Sequence, residues 1–171
     1  MTLTPTSYVV LGCLALGGPA TAYRIEQAVA PSIGRFWSFP HSQLYSEPAR
    51  LVQLGLLAQT QEDGGRRRRT YAITDTGRAA LAAWVATPTD ELPEVRDVAM
   101  LKLSFGAVVD ADDRQRLAAA QVAAHRSRLA EYAGVAEQQV PPPAALPLEF
   151  GMAFHASAAQ FWASLAEGAQ S

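Results

Sequence analysis

Cysteine is all but missing: Cys13 is alone in 171 residues, which rules out an internal disulfide and any multi-cysteine metal site. It stands inside an apolar run, where it reads as a small buried hydrophobe rather than a nucleophile. No apolar run reaches the roughly 18 residues that a membrane-spanning helix needs. The opening MTLTPTSYVVLGCLALGG has no basic stretch ahead of its apolar part, so no secretory signal and a cytoplasmic location are expected. Overall positive charge is absent too, since the net charge is −2, which argues against a general nucleic-acid binder. No acid, base and nucleophile form a catalytic constellation, and no Asp or Glu lies at ligand spacing around the three histidines. Neither an enzyme, a zinc site nor a cofactor is expected.

What is present is unevenly distributed. Residues 1–79 carry eight arginines against five acids, whereas the remainder carries six basic residues against eleven acids. A basic working half is thus followed by an acidic half with another task.

Apolar spacing and breakers divide the chain into two regions, 1–87 and 88–171. A first helix starts at Thr4-Pro5, places Tyr8, Leu11, Leu14 and Ala15 on one face, and stops at Gly17-Gly18-Pro19. A second runs from about Thr21 to Ala30, and a third from near Pro40 to Gly55. LLAQTQ and RRRRTYAIT then read as two antiparallel strands around the turn EDGG. Thr74 or Asp75 caps the helix TDTGRAALAAWVA, and TPTDELPE forms a linker. Beyond it come an apolar helix over 95–109, a long helix from Asp110 to about Gln139, the break VPPPAALP, and a last helix to about Gly168.

On a helical wheel of the third segment, Pro48 and Leu51 fall within about 40° of Leu44, so these three form a buried stripe. The opposite face holds Ser42, Ser46, Ala49 and Gln53, flanked by Gln43, Arg50 and Tyr45. Such a face suits a major groove, with Gln and Ser at base edges and Arg50, Tyr45 and the helix N-terminus on phosphates. His41 lies next to it. Taken alone, the same face reads rather as a solvated surface. The hairpin shifts that balance, because Arg66, Arg67, Arg68 and Arg69 repel one another and project to both faces near its tip. Three helices followed by a basic hairpin is the winged helix-turn-helix order. The expected fold is mainly α: an N-terminal winged helix-turn-helix with a two-stranded β-hairpin wing, then a C-terminal helical dimerisation region.

These residues resemble the PadR family of transcriptional regulators, in YVVLGCLALGGPATAYRIEQ, in SQLYSEPARLVQLGLL and in GGRRRRTYAITDTGRAAL. From Val95, VRDVAMLKLSFGAV and the long helix after it resemble the helical region that many of these regulators carry. The resemblance implies a homodimeric repressor on double-stranded operator DNA, with Tyr45 on the backbone and Ser42, Gln43 and Ser46 at the groove. It admits a small hydrophobic or aromatic effector, for which the residues themselves designate no pocket. Related proteins often show Tyr-Pro and a later Leu where this chain has Ser46 and Pro48, so the recognition helix is expected to kink or to begin late. A winged helix used only for protein contacts is the alternative.

In the long helix Ala118, Val122, His125, Leu129, Tyr132 and Ala136 recur at coiled-coil spacing, and the last helix repeats it with Met152, His155, Ala159, Trp162 and Ala166. A second stripe of Phe154, Phe161 and Leu165 borders the latter. Helices apolar on more than one face need more than one neighbour. Leu129, Tyr132, Met152, Phe154, Phe161, Trp162 and Leu165 are therefore expected at a dimer interface, against the alternative of an intramolecular bundle. Trp37, Trp84 and Trp162 read as packing residues. His125 and His155 read as buried and hydrogen-bonded, with a pH-sensing pair as the alternative.

Overall fold

Helix α1 (Pro5–Gly17) begins where its first-turn donors find partners. The Ser7 N–H donates to Thr4 Oγ1 and the Thr4 N–H donates to Ser7 Oγ, a reciprocal cap with Pro5 at the first helical position. The computed structural model describes residues 2–29, 33–35, 37, 40–61, 68–136 and 145–168. After α1 come α2 (Ala22–Val29), a 3-10 turn (Ile33–Arg35), α3 (His41–Gln53), β1 (Leu57–Gln61), β2 (Arg69–Ile73) and α4 (Asp75–Ala86). The second half holds α5 (Val98–Ser104), a 3-10 turn (Gly106–Val108), α6 (Ala111–Ala136) and α7 (Leu146–Gly168). The chain divides into two compact units, Met1–Glu91 and Leu92–Ser171.

In the first unit Val10, Leu11 and Leu14 of α1 meet Ile25 and Val29 of α2, Leu44 and Leu51 of α3, and Leu56, Leu57 and Tyr71 of the hairpin. The expected stripe of α3 is buried as read, including the ring of Pro48. The expected late start of this helix is not found: α3 begins at His41 and continues through Pro48. Burial of the apolar proline ring offsets the hydrogen bond that proline cannot make. Gly55 then turns the chain with φ 71°, a left-handed conformation that favours glycine.

β1 and β2 pair antiparallel from Leu57 opposite Ile73 to Gln61 opposite Arg69. The loop between α1 and α2 adds a rung that the sequence did not announce, because Ala20 and Tyr71 exchange backbone hydrogen bonds of 3.0 and 2.9 Å. Thr74 joins the hairpin to α4: its hydroxyl accepts from the Gly77 N–H and faces the carbonyls of Gly55 and Leu56. A Cβ at Gly77 would fall on the Leu56 carbonyl oxygen, so only glycine lets α4 start this close to the sheet. On α4, Trp84 stacks on Tyr8 with ring centroids 4.4 Å apart, while Trp37 is half exposed.

Residues 87–97 form no helix or strand and are almost wholly exposed. The helix expected over 95–109 is shorter. Asp97 accepts from the Ala99 and Met100 N–H groups and so fixes the start of α5 at Val98. The Arg114 guanidinium donates to the carbonyls of Gly106 and Val109 and holds the turn before α6.

α6 and α7 lie antiparallel, and the two coiled-coil stripes face each other within one chain. Ala118 and Trp162 are buried at one end; near the other, Tyr132 packs against Gly151. Tyr132 and Trp162, expected at a dimer interface, are thus covered by their own helix pair, and Leu129 and Met152 are half-buried in it. Periodicity shows that a face is apolar without naming its partner. The second stripe behaves differently: Phe154, Phe161 and Leu165 are 50%, 43% and 37% exposed, and Phe150 extends it at 71%.

Between the helices, His125 Nδ1 and His155 Nδ1 lie 2.8 Å apart, so one ring donates and the other accepts. Tyr132 and Phe154 border the pair. Burial holds the His155 pKa below its usual value, reinforced by the charges of His125 and Arg128 and opposed by Glu131. The unfolded chain therefore takes up the proton more readily than the folded one. This contribution to stability is complete above the ordinary imidazole value of about 6.5 and is lost as the pH falls through it towards the lower folded value. Urea unfolding of the protein between about pH 7.5 and about pH 5 should show a falling midpoint, and replacing both histidines with glutamine should flatten that fall.

Candidate nucleic-acid interface

The outward face of α3 is made by residues that its core packing leaves over. With Leu44, Pro48 and Leu51 inward, Ser42, Gln43, Tyr45, Ser46 and Gln53 are exposed and Ala49 is half-buried. No acid stands on that face. His41 opens the helix, and its side chain lies outside the described residues.

Two of these side chains are already engaged by the neighbouring helices. The Thr6 hydroxyl of α1 donates to Gln43 Oε1 at 3.1 Å. The Tyr45 hydroxyl donates to Glu26 Oε2 of α2 at 2.6 Å. That hydrogen bond, with smaller effects of burial and the Glu26 charge, keeps the phenol protonated by raising its pKa. Ser46 Oγ reaches the Gln43 carbonyl at 3.4 Å.

Arg50 does not stand where the helical wheel suggested. Its Nε and Nη2 donate to the two carboxylate oxygens of Glu47 at 2.9 and 2.6 Å, and Nη2 also donates to Ser7 Oγ at 2.9 Å. The Ser7 hydroxyl in turn donates to Glu47 Oε1 at 2.6 Å. Arg50 therefore serves as the counter-charge of Glu47. Glu47 is buried, and a buried carboxylate needs a partner. Burial works against the Glu47 charge, but the hydrogen bonds from Arg50 and Ser7 and the guanidinium charge outweigh it and hold its pKa below the usual carboxylate value. Glu47 went unremarked in the sequence, although an acid three residues after Leu44 falls beside the buried stripe and signals a partner there. Glu47→Ala strands Ser7 and Arg50 and should cost about 1–3 kcal/mol of stability, measurable by urea denaturation.

Beside α3, the hairpin carries Arg68 and Arg69, both exposed. Arg69 pairs with Gln61 at the end of the ladder away from the core, whereas Tyr71, two residues on, is buried. Arg66, Arg67 and the turn before them lie outside the described residues. Burial pushes the Cys13 thiol pKa up, as suits a packing residue. Among the described residues no three or more His, Cys, Asp or Glu gather as a metal site, and no helix is long and apolar enough to cross a membrane.

A helical triad closed by a two-stranded wing, with a polar outward face on its third helix, defines a winged helix-turn-helix protein, here followed by a helical C-terminal region. Residues 10–83 match the transcriptional regulator PadR-like family, and residues 95–169 match the virulence activator alpha C-terminal family. The negative transcriptional regulator PadR of Bacillus subtilis (strain 168) is 28% identical over 133 residues, 77% of this chain and 72% of its own length. The crystal structure of Bacillus subtilis PadR in complex with operator DNA superposes with a TM-score of 0.84 at 23% identity, over 95% of this chain and 98% of that one. The same regulator in complex with p-coumaric acid gives 0.82 at 23% identity, over 99% of both chains. Residues 10–83, the winged helix-turn-helix part of the chain, belong to the PadR-like family of transcriptional regulators.

Proposed function

We propose that this protein is a cytoplasmic repressor that binds double-stranded operator DNA as a homodimer and acts by binding instead of catalysis. α3 enters the major groove with Ser42, Gln43 and Ser46 at base edges; Tyr45 and the wing arginines 66–69 grip the backbone, and His41 lies at the groove margin. The observation that carries this reading is the face of α3, which is exposed, hydrogen-bonding and free of acids, beside a hairpin that presents Arg68 and Arg69 to solvent. Dimerisation is supported by the apolar stripe of Phe150, Phe154, Phe161 and Leu165, which no residue of the helix pair covers fully. Two copies place two recognition helices on a two-fold site. The complex of the Bacillus subtilis relative with p-coumaric acid supports a small aromatic effector that relieves repression.

Capture of genomic fragments by the purified full-length protein tests the reading. Enrichment of a few sites with two-fold symmetry is the expected result. Salt-independent capture, or no capture at all, would leave a winged helix devoted to protein contacts.

A further inference from the structure

We propose that Thr6, a buried residue of α1, is a positioning residue that sets which base Gln43 reads. The inference rests on the groove assignment of α3 above. Three side-chain hydrogen bonds tie the first turn of α1 to α3: Thr6 to Gln43 at 3.1 Å, Ser7 to Glu47 at 2.6 Å and Arg50 to Ser7 at 2.9 Å. The first turn is itself fixed by the reciprocal cap between Thr4 and Ser7. At the other end of the contact, the Gln43 N–H donates to the Pro40 carbonyl and anchors the start of α3. The backbones on both sides of the Thr6–Gln43 bond are thus held in place, and the bond orients the Gln43 side chain between them.

The consequence lies in the chemistry of the amide. A glutamine reads adenine with both ends, accepting from the N6 amino group while donating to N7, so its oxygen and nitrogen must face the base together. Here Oε1 is turned to the Thr6 hydroxyl, which is 7% exposed and belongs to the protein side of the helix. The Nε2 hydrogens are left to address the groove. An outward donor seeks acceptors, and guanine offers two at its major-groove edge, N7 and O6, where adenine offers N7 beside a competing donor. Thr6 thus biases Gln43 from adenine towards guanine without touching DNA.

The test is selection from a randomised library by the full-length protein and by its Thr6→Val, Thr6→Ser and Gln43→Ala variants, with random-DNA affinity measured for each. Gln43→Ala identifies the operator position concerned by flattening its base preference. At that position Thr6→Val should shift the guanine-to-adenine ratio by about fivefold or more towards adenine, the low end of what a bidentate base contact is worth. Thr6→Ser restores the hydroxyl and should restore the parental ratio, and random-DNA affinity should be the same throughout. A parental ratio in Thr6→Val, or no effect of Gln43→Ala, overturns the proposal while leaving DNA binding by α3 intact. Loss of random-DNA binding in Thr6→Val overturns it as well, making Thr6 a residue of the fold alone. Failure of the parent protein to enrich any sequence defeats the groove assignment itself.

Discussion

Replacing Arg66, Arg67, Arg68 and Arg69 with glutamine should weaken binding to operator and random DNA alike and leave sequence preference in place. Each phosphate neutralised on duplex DNA contributes about 0.9 to the slope of log affinity against log salt. Four full contacts per wing would remove about 3.6, but alternation along a strand turns neighbouring side chains to opposite faces. The face of β2 that carries Arg69 also carries the buried Tyr71, so it cannot be wholly given to DNA. A loss of about 2 per wing, and about 4 for a dimer engaging two wings, is expected. Between 50 and 200 mM salt a slope of about 4 is itself worth more than a hundredfold in affinity. Titration of a labelled operator at several salt concentrations measures it. An unchanged slope would return the arginines to the role of a solvated turn.

Phe154→Glu combined with Phe161→Glu should convert the protein to a monomer and lower operator affinity by about two to four orders of magnitude. The stripe these residues belong to is the apolar surface of α7 that α6 leaves open, and charge placed there has no partner once a second copy covers it. A monomer loses the second half-site, whose effective concentration multiplies affinity by about 10² to 10⁴. Sedimentation and operator titration of the same preparation separate the two effects. A dimer that persists in the double variant would put the interface elsewhere. Both substitutions lie on exposed positions, so the α6–α7 pair, held by Tyr132, Trp162 and the histidines, should keep its helix content.

The sequence was most legible where one residue type has one reason to be in place. Leu44, Pro48 and Leu51 recur at the helical period, and Gly55 stands where the chain must turn with positive φ. The paired strands were signalled by the change of pattern after Gly55, and Thr74 by its place before an apolar run. Legibility failed where the deciding partner is distant along the chain. Nothing local to Arg50 reveals Ser7, 43 residues earlier, so a wheel assigns it to solvent. The heptad spacing of α6 and α7 is equally consistent with a sister helix in the same chain or in another copy. The structure pairs those two stripes with each other and leaves the phenylalanine stripe to look outward. Ala20 has no strand signature at all, because a single bridge needs only two backbone groups in register.

That bridge divides the hairpin into a part that opens with the whole unit and a part that opens alone. The amides of Ala20 and Tyr71 are protected by each other beside Leu14, Leu56 and Leu57, so their exchange with solvent requires the core to come apart. The rung between Gln61 and Arg69 has solvent on both sides and exchanges by local fraying. In a hydrogen-exchange experiment the middle and the outer end of one five-residue strand would therefore report different free energies. The hairpin thus has a root tied to the loop between α1 and α2 and an outer rung free to open without it, so one strand melts in two stages.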